Sequence, residues 1–522
     1  MVVSGQRWEF VLVGLMLGLM GCGGQTEGAS ADNEDGEPHY ATGLVFDEAK
    51  YRKLPLKAQM TRGLYGSLPA SFSLKPYCPT PGNQREYGTC VGWSAAYGAR
   101  TILEAVANEY TGQQITANAF APAFTYRLIA PDDYDCQYGS HVEDALASFV
   151  GIGAVKLSSL PDLCLGSELP DALVQATASD YKIKDYKRLF DKDDSRAFKV
   201  DAIKQSIVAQ RPVVIGMTCC EASFQNLRKD CWDDIRYTPF AAGHAMCIVG
   251  YDNTYCKGGA FQVLNSWGTN WGNKGFFWLP YEAMSLVHTA CEPVPFERLT
   301  PAPQPEPEPV PQPEPIPAPQ PQPEPAPAPP RPAPVVPELK ASIRLALTNG
   351  TSMPVQRASQ GSGSGTPDLM NARYQTQRAY PSGTLFRFYL RNDAPAYVYA
   401  LATDNTGRVT RIFPFDARIS PELSGGSEIA FPDESQNMIR MDQVAGTDLL
   451  CVLVSKEPLP FEQLYSQLQG ATTQDFAARL QRSLGNRLGG SAAVDYSPDQ
   501  IAFRTRAEGN RVIPILITIP HE

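Results

Sequence analysis

The chain has 522 residues, 43% hydrophobic and 19% charged, too long for one ordinary domain and apolar enough to build real cores. Its net charge of −10 argues against nucleic acid as a partner and against a polybasic membrane patch. Beyond the N-terminus no run of about 20 apolar residues occurs, so no spanning helix is expected there.

In chain order, Arg7 and the apolar run Phe10 to Met20 read as the charged and hydrophobic parts of a secretory signal. The run ends in Leu19-Met20-Gly21-Cys22, which resembles a bacterial lipobox, with Met20 an unusual member. That resemblance implies lipidation of Cys22 and attachment to a membrane through the lipid. The other reading is an ordinary signal with an incidental cysteine, and both export the chain. No aspartate follows Cys22, so the outer membrane is expected over the inner one in a bacterial cell envelope. Residues 23–65 read as an acidic tether followed by a short pro-like segment.

Residues 66–300 form the first expected globular unit. Cys90 to Glu109 has helical spacing, with Ala95, Ala96, Ala99, Ile102, Leu103 and Val106 as its apolar stripe. His141 to Val150 and Ala202 to Gln210 read as further helices. Strands are expected at Pro212 to Gly216, His244 to Tyr251, Phe261 to Asn265 and Gly275 to Leu279. Helices first and strands later predict an α+β fold. Residues 301–338 are a proline-rich linker in polyproline II, expected to transmit no packing contacts. Residues 339–522 read as a mainly β, sandwich-like unit. Phe386, Phe388 and Leu390 alternate with polar neighbours, and Phe461 to Leu468 and Phe476 to Leu488 look like inserted helices. No catalytic motif or metal cluster is evident in this second unit, and His521 falls in what reads as a frayed tail.

Cysteine usage agrees with export. Cys247 and Cys451 sit in apolar runs and are expected to be free and buried. Eight others, Cys78, Cys136, Cys164, Cys219, Cys220, Cys231, Cys256 and Cys291, leave the pairing open. Cys219, Cys220, Cys231 and His244 match no usual zinc spacing, so neither metal nor cofactor is expected.

The chemistry concentrates in four residues in the order Gln84, Cys90, His244, Asn265. A thiol attacks as thiolate, and a cysteine that opens a helix has its pKa lowered by the macrodipole. A histidine beside it can hold the ion pair and later protonate a leaving amine. Asn265 can orient the ring, Trp267 can shield that bond, and Gln84 with the Cys90 N–H can stabilise an oxyanion. The alternatives for these residues are a disulfide half, a satisfied strand-end histidine and core aromatics.

"NSWGTNWGNKGFF" (from Asn265), "GHAMCIVGYD" (from Gly243) and "LPASFSLKPYC" (from Leu68) resemble signatures of the papain family of cysteine peptidases, over about Leu68 to Cys291. The resemblance implies a two-lobed domain with a helical lobe and a β-barrel-like lobe, hydrolysing a polypeptide substrate through a thioester. It implies Cys90 as nucleophile, His244 as base and acid, Asn265 as orienter and Gln84 as oxyanion donor. Gly139, Ser140, Gly243 and Trp267 would border the substrate. Val91 stands where many relatives have tryptophan, and Tyr87 where many have cysteine. Many relatives also carry a long inhibitory propeptide; here only Tyr40 to Tyr65 is available to lie across the cleft. Two other readings are a transglutaminase-like acyl transferase, whose third member is usually Asp, and a surface binding protein on an inactive peptidase scaffold. The second unit, from "YPSGTLFRFYLRNDAPAYVYALATDNTGRVTRIFPF", resembles a bacterial β-sandwich domain of unknown function. That implies an accessory role toward an unknown protein or envelope ligand.

Overall fold

The computed structural model describes residues 2–3, 40–58, 68–170, 177–219, 222–233, 235, 242–296, 339–358, 369 and 372–522, apart from 405–406, 417, 427, 433–437, 470–474, 490–493, 499 and 506–510. The lipobox with Cys22, the tether up to residue 39 and the proline-rich tract lie outside the described residues. Among the described residues, no helix is long and apolar enough to cross a membrane.

The N-terminal core is built around one buried helix and one antiparallel sheet. The helix begins at Cys90, widens to a π-type pitch over Trp93–Arg100 and continues through Thr101–Asn108. Its small residues let a strand come close. A Cβ added at Gly98 would lie 3.1 Å from the Cβ of Cys247. The sheet runs in the order Asp185–Arg188, Val287–Val294, Val213–Thr218, Gly243–Asp252, Ala260–Leu264, Phe276–Pro280, with Ser71–Ser73 also on Gly243–Asp252. Strand Gly243–Asp252 lies at the centre of this packing and is buried except at its two ends. Cys136 bonds Cys164 and Cys231 bonds Cys256. Cys78 and Cys291, both candidates for pairing, are free thiols, as are the buried Cys247 and Cys451.

The C-terminal unit stacks two sheets. One contains Leu339–Leu347, Leu385–Asn392, Glu428–Phe431, Ile439–Arg440, Val494–Tyr496 and Ile501–Thr505, with the pair Val2–Val3 at its edge. The other contains Val355–Arg357, Arg373–Thr376, Ala396–Thr403, Val409–Phe413, Glu422–Leu423, Gly446–Ser455 and Val512–His521. Phe386, Phe388 and Leu390 point into the shared core with Val398, Val452 and Ile515. Strand Ala396–Thr403 is buried on both faces. The reason is that helices Phe461–Gln469 and Phe476–Leu484 cover the outer face, over Tyr397, Tyr399 and Leu401.

Two expectations are corrected here. His521 is not frayed: it ends strand Val512–His521 opposite Gly446, and only 3% of it is exposed. The two units also do pack on each other. The Leu56 N–H donates to the Arg418 carbonyl (2.6 Å) and the Leu56 carbonyl accepts from Ser420 (2.9 Å). On its other side this stretch pairs with Arg188, through Lys57 N–H to Arg188 O and Arg188 N–H to Pro55 O, both 3.0 Å. Below it, Lys187 pairs with Glu422, and Glu292 is held by Lys57 (2.6 Å) and Arg211 (3.0 Å). Burial would raise the Glu292 carboxyl, but Lys57, Arg211 and Lys187 outweigh it and hold it at about 2. Its stabilising effect is therefore present above about pH 4.5 and is lost as pH falls toward 2.

Because the side chains of Lys187 and Glu422 are 1% and 2% exposed, removing one partner strands a buried charge. Glu422→Gln is expected to cost about 3 kcal/mol, read as a lowered midpoint in urea unfolding of the intact chain. An unchanged midpoint would mean that the two units do not share this interface in solution.

Candidate active site

Strand Gly243–Asp252 delivers His244 to the cleft, and the chain just after Ala260–Leu264 delivers Asn265. His244 Nε2 lies 2.8 Å from Asn265 Oδ1, which also accepts the Ser266 N–H at 2.8 Å. With Nε2 donating, Nδ1 is left as the acceptor, and it has no hydrogen-bond partner among the described residues. Trp267 stacks on the His244 ring at 4.6 Å between centroids and shields the bond. Burial pushes His244 down to about 4, against a smaller upward pull from the Asn265 bond.

Cys90 begins the central helix and is fully buried. Burial pushes its thiol up to about 11; the backbone N–H groups of Ala245, Gly43, Val91 and Cys90 act against this without overcoming it. Burial thus favours the neutral form of both the thiol and the imidazole in this closed arrangement. Gln84 is fully buried too. Its Oε1 accepts from Ser266 Oγ (2.6 Å), which aims Nε2 at the carbonyls of Tyr87 (2.8 Å) and Ala41 (3.1 Å).

The burial has a specific source. Residues 40–46 run through the cleft as a strap. Tyr40 stacks on the Trp267 ring at 4.8 Å and exchanges two hydrogen bonds with the side chain of Gln225. The Ala41 carbonyl takes both Gln84 Nε2 and Trp267 Nε1–H, each at 3.1 Å. The Gly43 N–H faces the Cys90 sulfur, and the Gly43 carbonyl accepts from Ser140 (2.8 Å). Leu44 donates to the Gly243 carbonyl (3.1 Å), and Val45 donates to the Ser140 carbonyl (2.9 Å). Gly139, Ser140, Gly243 and Trp267, all predicted to border a substrate, therefore border the strap. Gly139 has φ +76°, and a Cβ there would strike the Gly43 carbonyl at 2.6 Å.

The strap falls within Tyr40 to Tyr65, the stretch expected to be available to lie across the cleft, whereas Gln225 and Ser266 were not anticipated. Ser266 could have been found from its place inside "NSWG". Of the other histidines, His288 lies 2.7 Å from Thr218 Oγ1, and His141 precedes helix Val142–Gly151 without capping it through its side chain. Cys231 is in a disulfide and His244 is on Asn265, so the considered zinc set does not assemble.

A family model described as papain family cysteine protease matches residues 168–292, which include His244 and Asn265 but not Gln84 or Cys90. A second, a domain of unknown function, matches residues 379–458. The chain is 32% identical over 96 residues to an uncharacterized peptidase C1-like protein of Acanthamoeba polyphaga mimivirus, covering 18% of this chain and 30% of that protein. It is 25% identical over 214 residues to cathepsin K of Mus musculus, covering 40% of this chain and 59% of that protein. Both matches thus span less than two thirds of the relative's length. Among solved structures, xylellain, a cysteine protease from Xylella fastidiosa, superposes with a TM-score of 0.41 at 20% identity, covering 50% of this chain and 98% of that one.

Proposed function

We propose that the first unit is a cysteine peptidase kept latent by residues 40–46. This reading rests on the Asn265–His244 hydrogen bond under Trp267 and on Cys90, which opens the central helix and meets the backbone of Ala245, the residue after His244. Once the strap leaves, water and substrate re-enter and the thiol can pass its proton to Nδ1 of His244. The thiolate attacks a peptide carbonyl, and the developing oxyanion meets Gln84 Nε2 and the Cys90 N–H. His244 returns the proton to the leaving amine, and water then resolves the thioester.

The strap does not present itself as a substrate. It turns the Gly43 N–H toward the sulfur, and its Ala41 carbonyl occupies the Gln84 donor. A peptidyl-epoxide probe should label Cys90 in a chain whose strap is displaced and label the native chain slowly. Absence of label in both would reject the peptidase reading. The transglutaminase-like alternative is disfavoured because Asn265, a neutral amide, holds the imidazole.

Export and a lipid anchor at Cys22 belong to the same proposal, supported by two disulfides and by the lipobox-like sequence. Cys22→Ala should move the protein from the membrane fraction to the soluble one, since the acyl chains supply most of the attachment. Retention of the variant after a high-salt wash would reject the anchor.

A further inference from the structure

We infer that the C-terminal unit holds a divalent first-row metal ion, of the zinc class, between Asp442, Asp448 and His521. The three residues come from separate stretches of chain. His521 ends strand Val512–His521, Asp448 lies near the start of its antiparallel neighbour Gly446–Ser455, and Asp442 follows strand Ile439–Arg440. One potential ligand atom from each falls within a 4.8 Å group. His521 Nε2 is 3.6 Å from Asp448 Oδ1 and 3.8 Å from Asp442 Oδ1.

Three features separate this cluster from a simple ion pair. The first is unmet bonding capacity. The side chains of Asp448 and His521 are 0% exposed, yet among the described residues both Asp448 oxygens and His521 Nε2 lack a hydrogen-bond partner. A buried carboxylate in that state is costly unless a cation compensates it. The second is spacing. A direct N–H···O bond would close to about 2.9 Å. Ligands about 2.1 Å from a tetrahedral zinc lie about 3.4 Å from one another, close to the spacing found. The third is orientation. His521 Nδ1 lies 3.0 Å from Ser382 Oγ, and Ser382 is tied by its own N–H to the Glu522 carbonyl at 2.7 Å. In the tautomer whose Nδ1–H donates to the serine, the Nε2 lone pair faces two carboxylates, the arrangement a metal ligand needs. Asp442 is held by the Val444 N–H on Oδ1 (2.8 Å) and by its own carbonyl accepting from Gly383 (3.2 Å).

Asp404 adds further negative charge near Asp448. One imidazole and two carboxylates leave a fourth position for water or for a donor from a bound partner. The metal would also tie the ends of two core strands to the 442 loop, so it should stabilise the fold.

The test uses the leader-processed chain carrying Cys90→Ser, which removes the active-site thiol as a competing ligand. After chelation and dialysis, Co2+ and Zn2+ are titrated in turn. One equivalent of Co2+ should give visible bands without sulfur-to-metal absorption, Zn2+ should displace it, and Zn2+ should raise Tm. Asp448→Asn should weaken binding by about tenfold or more and abolish the rise in Tm. Should that variant fail to fold, Asp442→Asn, at the more open rim, gives the same readouts. No uptake by the parent chain, uptake through sulfur, or unchanged affinity in a folded ligand variant would each overturn the site and leave a His–Asp ion pair in its place.

Discussion

Cys90→Ser is expected to lower peptide hydrolysis by at least about 1,000-fold in a chain whose strap has been displaced, with the unfolding midpoint nearly unchanged. The side chain is fully buried and nearly isosteric with serine, so packing against the Ala245 backbone survives. What disappears is acidity: a hydroxyl so far from neutral pH cannot be ionised by an imidazole held by a neutral amide. Asn265→Ala should be milder, about 10- to 100-fold, because the ring keeps its Trp267 stacking while losing the bond that selects its tautomer. Fluorogenic peptide assays with active-site titration separate the two. Residual activity of Cys90→Ser comparable to that of Asn265→Ala would remove Cys90 as the nucleophile.

The parts of this site that chemistry dictates are legible in the sequence. "NSWG" and "GHAM" name their residues because an orienting amide, a shielding ring and a strand-end imidazole tolerate few substitutes. Phe386, Phe388 and Leu390 likewise show their shared face through period-two alternation, and all three are buried. Other features leave no such trace. The strap has no repeating pattern: its extended form is imposed by the partners it meets, at Gln84, Ser140 and Gly243. The contact between the units escapes the sequence for a similar reason. It depends on Leu56 lying between Arg188 and Ser420, whereas the proline tract seen alone predicts separation. His521 misleads because a terminal residue looks free to fray until its register with Gly446 is known.

Gly43→Ala is expected to raise peptidase activity of the otherwise latent chain by about 10- to 100-fold, since overpacking a tight site costs about 1–3 kcal/mol and more against rigid backbone. A Cβ on Gly43 would fall 1.9 Å from the Gly88 carbonyl oxygen, within the turn that leads into Cys90. Neither partner is a flexible side-chain tip, so the strap must lift. In the open chain the alanine meets nothing, and the fold below should be unaffected. Lifting the strap frees Gln84 Nε2 and Trp267 Nε1 from the Ala41 carbonyl and lets water reach Cys90 and His244. Proton uptake gives a second signature. Burial holds His244 at about 4 in the closed cleft, while an opened cleft returns it toward about 6.5. Between those values the open form binds more protons, so lowering the pH through this window favours release of the native strap. The pH dependence of epoxide labelling in the native chain should therefore show faster labelling on the acid side than Gly43→Ala does, relative to each protein at pH 7. If Gly43→Ala stays as slow to label as the native chain while remaining folded, residues 40–46 do not control the site. If both label fast, the closed arrangement is not the resting state in solution.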